Sequence, residues 1–217
     1  MYNEKIEVIK NVINDLSCYN YQIIIVDDGS SYPLKQLLND PSVTVLTHYF
    51  NMGQGAAIQT GIEFALANKA DFVITFDGDG QHDAKDAERL LEPLLINKAD
   101  VTLGSRFLQG SYHNAPLIRR MVFRIAWAVN NLLLGMRLSD THNGLRGLNR
   151  KALQLISITE NKMAHATEIL LQIKRKKLRY LEIPVHIHYT AYSRKKGQSW
   201  VDSLGVFLDL LLYKLFK

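Results

Sequence analysis

The sequence predicts an α/β domain, a Rossmann-like, mixed but mostly parallel sheet flanked by helices, and three observations predict it. Short apolar runs alternate with amphipathic stretches, as successive strand–helix units require. Polar and acidic residues gather where the apolar runs end, at Asp27–Ser30 and again at Asp77–His82. The 217 residues are 47% hydrophobic and 22% charged, which suits one sizeable core. No repeat, low-complexity tract or linker interrupts them, so residues 1–217 read as a single domain.

Taken in order, the chain opens at Met1-Tyr2-Asn3-Glu4 and passes straight into a helix-like segment, where a doubly wound sheet would normally begin with a strand. Gln22-Ile23-Ile24-Ile25-Val26 reads as a buried parallel strand, and residues 43–47 as a second. A helix follows over 54–68, a strand over 71–76, a helix over 83–95 and a strand over 99–104. The second half is less regular. Residues 116–135 read as a helix, Asp140 to Arg150 as a polar, Gly-containing segment, 164–175 as a helix and 180–189 as a strand. Tyr192 to Ser199 is a basic loop. About 200–217 is an amphipathic C-terminal helix, with Trp200, Leu204, Phe207, Leu208, Leu211 and Leu212 set against Asp202, Asp209 and Lys214.

Composition narrows the function. Cys18 is the single cysteine and makes no internal disulfide, which favours a reducing compartment. The net charge of +5 suits a phosphorylated substrate or an anionic lipid surface. The basic residues are not interleaved with aromatic ones, which argues against nucleic acid. No apolar run approaches the ~20 residues that cross a bilayer, and no signal peptide opens the chain. The expectation is a cytoplasmic protein, peripheral at the inner face of the membrane. A homo-oligomer and a membrane-protein partner both stay open.

The chemistry gathers at strand ends, the edge of an open α/β sheet where ligands bind. Asp77 and Asp79 are two residues apart after Phe72-Val73-Ile74-Thr75-Phe76, so both reach one hard cation, and Gln81 adds a neutral oxygen. Asp27 and Asp28 end the first strand, where a carboxylate accepts hydrogen bonds from a nucleobase N–H or ribose hydroxyls. Either pair alone is more readily a turn than a site. Two such pairs about 50 residues apart, the spacing of successive strand–helix units, are much less readily so. Asn51-Met52-Gly53-Gln54-Gly55 is a poor dinucleotide fingerprint, because Ile58 stands where its third glycine belongs; Gly53 and Gly55 read instead as a helix start packed close to a nucleotide. Arg106 ends a strand and points into the same cleft. Arg146, Arg194, Lys195 and Lys196 are further cations suited to phosphate. Asp140 and Glu168 are the candidate general bases, and His82 is the histidine nearest the acidic motif.

In this order the motifs resemble glycosyltransferase family 2, which has the GT-A fold. The carrying residues are Tyr2-Asn3-Glu4, Val26-Asp27-Asp28-Gly29-Ser30, Asn51-x-Gly53-x-Gly55-Ala56-Ala57, Asp77-Gly78-Asp79-Gly80-Gln81-His82, Gly104-Ser105-Arg106 and Arg194 through Ser199. Within the family the chain is most similar to polyprenyl-phosphate glycosyltransferases of the dolichol-phosphate mannosyltransferase type. The resemblance implies inverting transfer from a UDP- or GDP-sugar, with Mg²⁺ or Mn²⁺ held by Asp77, Asp79 and Gln81. It implies donor contacts at Tyr2, Glu4, Asp27, Asp28, Gly53, Gly55 and Asp77, and phosphate handling by Arg106, Arg194, Lys195 and Lys196, with Arg146 offered beside them by its residue type alone. The family begins with an apolar strand ending in Pro-x-Tyr-Asn-Glu; here Met1 abuts Tyr2, so that first strand is expected to be missing from this sequence. The acceptor is expected to be a polyprenyl phosphate. A glycan hydroxyl is the alternative, and a non-catalytic scaffold descended from such an enzyme is a third reading. A nucleotidyltransferase would carry a basic Gly-rich loop after its first strand, and none is seen.

Overall fold

A computed structural model describes residues 1–113, 135–162 and 164–189. All but the last residue of the expected helix at 116–135, the basic loop with Arg194, Lys195 and Lys196, and the amphipathic tail lie outside the described residues.

The first part of the chain builds a small unit of its own. Helix α1 (Ile6–Ser17) turns Ile9, Val12 and Ile13 inward at helical spacing. Strands β1 (Ile23–Asp27) and β2 (Val43–Thr47) pair in parallel from Ile23↔Val43 to Asp27↔Thr47, joined through the short helix α2 (Leu34–Leu38). Ile9, Ile13, Ile25, Leu34, Leu38 and Val43 close a core between them.

The second unit is larger. Helix α3 (Gln54–Ala67) leads to β3 (Phe72–Thr75), and α4 (Ala84–Leu95), capped by the Asp83 carboxylate on Lys85 N–H, leads to β4 (Val101–Ser105). After the two-residue strand β5 (Tyr112–His113) come β6 (Arg146–Asn149), α5 (Arg150–Leu155), α6 (His165–Arg175), β7 (Tyr180–Pro184) and β8 (His186–Ile187). The order in the sheet is β3-β6-β4-β7, with β6 antiparallel to both neighbours and β7 parallel to β4. Ile62 of α3, Val101 and Leu103 of β4, Leu148 of β6 and Ile169, Leu170 and Ile173 of α6 form the main core.

Strand β6 corrects the reading of 140–150 as an irregular polar segment. Its four residues hold a single large apolar side chain, Leu148, which leaves no alternation to detect. Gly147 is there because a Cβ would lie 2.3 Å from Thr102 Oγ1 and 3.0 Å from both Ile74 Cδ1 and Leu94 Cδ1. Thr102 cannot yield, since its hydroxyl donates to Leu90 O at 2.8 Å inside the core. Gly147→Ala is therefore expected to cost about 1–3 kcal/mol by overpacking, read as a lower urea midpoint at unchanged slope. The strand expected over 180–189 is also divided. Val185 leaves the β4 ladder to join β5, its N–H donating to Ser105 O and its carbonyl accepting from Tyr112 N–H.

The small and large units share no strand ladder. Helix α3 packs on both β1 and β3. At the sheet's carboxyl edge Met1 spans them. Its ammonium donates to Val26 O at 2.5 Å, its carbonyl accepts from Asp28 N–H at 2.7 Å, and its side chain fills the space that a Cβ at Gly78 would need. These bonds set Met1 beside Asp27 in parallel sense.

Candidate functional site

The polar residues after β1 and β3 are linked through Met1 and Gln54, and those after β4 lie across β6 in the larger sheet. The end of β1 is built around Asp28. Its Oδ1 accepts from Met52 N–H at 2.9 Å and meets His48 Nδ1 at 2.8 Å, and its Oδ2 accepts from Gly53 N–H at 2.7 Å. His48 reaches on to Thr60 Oγ1. Asp28 thus organises the loop into α3. Neighbouring Asp27 accepts from Ser30 N–H on Oδ1, while its Oδ2 has no hydrogen-bond partner among the described residues, which leaves it the carboxylate suited to an incoming hydroxyl or N–H. The opening residues pack here too. Asn3 accepts from Ser31 N–H and Oγ, the buried Glu4 accepts at its carbonyl from Tyr32 OH, and Tyr2 is about half exposed.

The glycines of the next loop need a correction. Gly53 has φ 105°, and a Cβ on it would lie 2.3 Å from Asn161 O; on Gly55 it would lie 2.0 Å from Glu160 O. Their small size admits the chain's own 160–161 segment rather than a nucleotide, and both N–H groups are spent, on Asp28 and on Asn161 O.

At the end of β3, Asp77 accepts from Gln54 Nε2 on Oδ1 and pairs with His82 Nε2 on Oδ2, each at 3.0 Å. Its carboxylate rests on Gly144, where a Cβ would come within 2.5 Å of Oδ2. Burial works to raise its pKa. The hydrogen bond and charge of His82, with the charges of His165 and Arg146, outweigh that and lower it. Asp79 goes the other way: burial and the negative charge of Asp77 raise its pKa, and Gln81 donates to it through both its backbone N–H and its side chain. A cavity of about 300 Å³ adjoins Asp79 and His82, walled on the far side by Val8 and Val12 of α1. Arg146 is placed behind this pair rather than in the open cleft. It is buried, Nε and Nη2 donate to the carbonyls of Asn143 and Ala166, and burial lowers its pKa to about 10. This location corrects its assignment to an acceptor phosphate.

At the end of β4, Arg106 and Asp140 form a buried two-pronged pair. Arg106 Nε donates to Oδ2 at 2.6 Å, Nη2 to Oδ1 at 2.7 Å and the backbone N–H to Oδ2 at 3.1 Å, with Nη1 on Tyr189 OH at 3.3 Å. Burial alone would raise the Asp140 pKa; the Arg106 charge overrides it and holds the group ionised. Beside it, burial pushes His142 down to about 4 from an ordinary 6.5. The neutral imidazole is the folded form. Its stabilisation is therefore whole above pH 6.5 and is lost as pH falls from 6.5 toward 4. The expected loss across that window is about 3 kcal/mol, absent in His142→Gln, as measured by denaturant unfolding at stepped pH.

Glu168 is the second candidate base, and its carboxylate is fully engaged. It accepts from Thr159 N–H and Oγ1 and from Glu160 N–H, which ties α6 to the preceding loop. The sequence reading passed over His48, Gln54, His165, Glu182 and Tyr189. Of these Gln54 alone carried a signal, its place inside the small-residue loop.

With this geometry in view, the glycosyl transferase family 2 model matches residues 1–157. The chain belongs to that family. A UDP-N-acetylglucosamine–dolichyl-phosphate N-acetylglucosaminyltransferase of Methanococcus voltae is 32% identical over 237 residues, covering 100% of this chain and 94% of the relative. An undecaprenyl-phosphate mannosyltransferase of Micrococcus luteus is 29% identical over 189 residues, covering 82% of this chain and 74% of the relative. Among solved structures, glucosyl-3-phosphoglycerate synthase of Mycobacterium tuberculosis, in complex with Mn²⁺, UDP and glucosyl-3-phosphoglycerate, aligns with a TM-score of 0.69 at 16% identity, over 97% of this chain and 77% of that one. That likeness shows the GT-A fold. The acidic pair follows β3 and Arg106 follows β4, the two strands that flank β6 in one sheet.

Proposed function

We propose that this family 2 domain transfers a sugar, with inversion, from a nucleoside-diphosphate sugar to a polyprenyl phosphate, assisted by a divalent cation. One observation carries the choice of acceptor: both carboxylates that the sequence offers as bases are already consumed. Asp140 is held ionised against Arg106, and Glu168 is saturated by the loop before α6. A sugar hydroxyl needs a base to take its proton, whereas a phosphate oxygen is anionic at neutral pH and needs none. The relatives named for dolichyl-phosphate and undecaprenyl-phosphate transfer support the same acceptor.

The residues fit Mg²⁺ or Mn²⁺. Asp77 and Asp79 supply hard oxygens, and burial together with the charge of Asp77 raises the Asp79 pKa, a cost to its ionised form that a cation relieves. Among the described residues no group of three or more acidic, histidine or cysteine side chains converges as a full cage, which accords with an ion completed by donor phosphates. Such an ion would stabilise the charge gathering on the departing nucleoside diphosphate. The protein's own part is positional. Asp27 would receive the nucleoside, Gln54 and His82 fix Asp77, and Arg106, clamped by Asp140, is the cation we assign to the acceptor phosphate. An acceptor phosphate oxygen attacks the anomeric carbon, the bond to the diphosphate breaks on the opposite face, and configuration inverts. Among the described residues no helix is long and apolar enough to cross a membrane. The relatives named for polyprenyl-phosphate transfer support a peripheral place at the membrane, where an isoprenoid phosphate is presented.

The test is transfer from a panel of UDP- and GDP-sugars to a short polyprenyl phosphate, in Mn²⁺ and in EDTA. The expected result is a metal-dependent product with inverted configuration. Equal transfer to a neutral glycan with no response to the lipid phosphate would overturn the choice of acceptor.

A further inference from the structure

The carboxylate of Glu182, on β7, lies one residue pair away from Arg106 without touching it. It accepts from Ser139 N–H at 2.8 and 3.0 Å, from Ser139 Oγ at 2.7 Å and from Asp140 N–H at 3.1 Å. Ser139 Oγ also meets Ser105 Oγ at 2.6 Å, and Ser105 Oγ accepts from Phe107 N–H, so the same contact fixes the backbone on either side of Arg106. Asp140 then grips the guanidinium in two prongs. The pairing Leu103↔Glu182 in the parallel β4–β7 ladder is what brings a side chain from β7 to the 139–140 turn.

This is more wiring than a loop anchor requires. A carboxylate on two consecutive N–H groups fixes the direction of that peptide, and the Asp140 side chain leaves from it. Three elements far apart in sequence, β4, the 138–142 segment and β7, are thereby locked around one cation. Arg106 is held by a side-chain carboxylate and the Tyr189 hydroxyl, whereas Arg146 is turned to backbone carbonyls behind Asp77.

We propose that Glu182 is a positioning residue for acceptor binding: it sets the Asp140 turn and, through it, the direction of the Arg106 guanidinium. The proposal rests on the reading of Arg106 as the acceptor-phosphate cation. Glu182→Ala leaves two backbone N–H groups and the Ser139 hydroxyl without their acceptor, so the turn and Arg106 relax together. Glu182→Gln keeps one oxygen for the three donors on Oε1 and is expected to restore most of the effect.

The experiment has two readouts. In steady-state transfer, Glu182→Ala is expected to raise the KM for polyprenyl phosphate about tenfold or more, a loss of about 1.4 kcal/mol of binding, with the KM for the nucleotide sugar within twofold of wild type and Glu182→Gln between the two. In ¹⁵N-detected NMR, the Arg106 Nε–H is expected to exchange at least about tenfold faster in Glu182→Ala, a change that holds whatever the acceptor is. Unchanged Arg106 exchange in a folded Glu182→Ala protein overturns the proposal. A rise of both KM values in step with a falling Tm assigns Glu182 to stability alone and overturns it too. Faster Arg106 exchange in a variant whose wild type transfers to no lipid phosphate supports the positioning role while refuting the acceptor reading.

Discussion

Asp79→Ala is expected to lower cation-dependent sugar transfer about a thousandfold, about 4 kcal/mol of transition-state stabilisation, with little change in fold. Asp79 is the less encumbered of the two acidic groups. Its contacts are to Gln81, two residues on, whereas Asp77 is tied to Gln54 and His82 and rests against Gly144. Removing Asp79 relieves a repulsion and opens no core cavity. Asp77→Ala removes the partner of His82 and Gln54 as well, so it should lose activity and Tm together. Mn²⁺ titration of each variant with a nucleoside diphosphate separates the two effects. Undiminished metal-dependent turnover in Asp79→Ala would remove the acidic pair from the mechanism.

Asp140→Ala carries the largest expected cost in stability, about 3–5 kcal/mol, or about 10 °C in Tm for a domain of this size. It leaves the buried Arg106 guanidinium without its counter-ion. The double variant Arg106→Ala, Asp140→Ala should be more stable than Asp140→Ala alone, because the orphaned charge leaves with its partner. The acid limb follows the same pair. Arg106 holds the Asp140 pKa below its ordinary value, so the stabilisation is present above the ordinary carboxylate pKa and is lost as pH falls through the lowered one. Denaturant unfolding of the four proteins of the cycle measures the coupling. A double variant no better than Asp140→Ala would mean that the pair is solvated.

The parts of the site legible in the sequence are those whose signal is local. Asp77-x-Asp79 follows an apolar run and Asp27-Asp28 follows another, so the strand end and the chemistry sit in one short window. The wiring behind them was not legible. Asp28 meets His48 across 20 residues, Arg106 meets Asp140 across 34, and Glu182 meets Ser139 across 43. No periodicity links such positions, so Asp140 and Glu168 read as available bases when their oxygens are already engaged. The same limit hid β6, four residues whose membership in the sheet depends on a glycine fitting against Thr102. Gly53 and Gly55 were visible as small residues, but what fills the space beside them comes from residues 160–161, about a hundred positions later.

The division of the strands into two ladders has a consequence for hydrogen exchange. Among the described residues, no strand-to-strand hydrogen bond joins β1–β2 to β3–β6–β4–β7. The smaller unit keeps its own core, and all four residues of β3 stay half-buried where all five of β4 are fully buried. The amides of Ile23–Asp27 should therefore exchange as a separate cooperative unit, at a lower opening free energy than those of Val101–Ser105. A nucleotide bound between Asp27 and the acidic pair would bridge the two units. Its affinity would then add directly to the protection of β1 and leave that of β4 nearly unchanged.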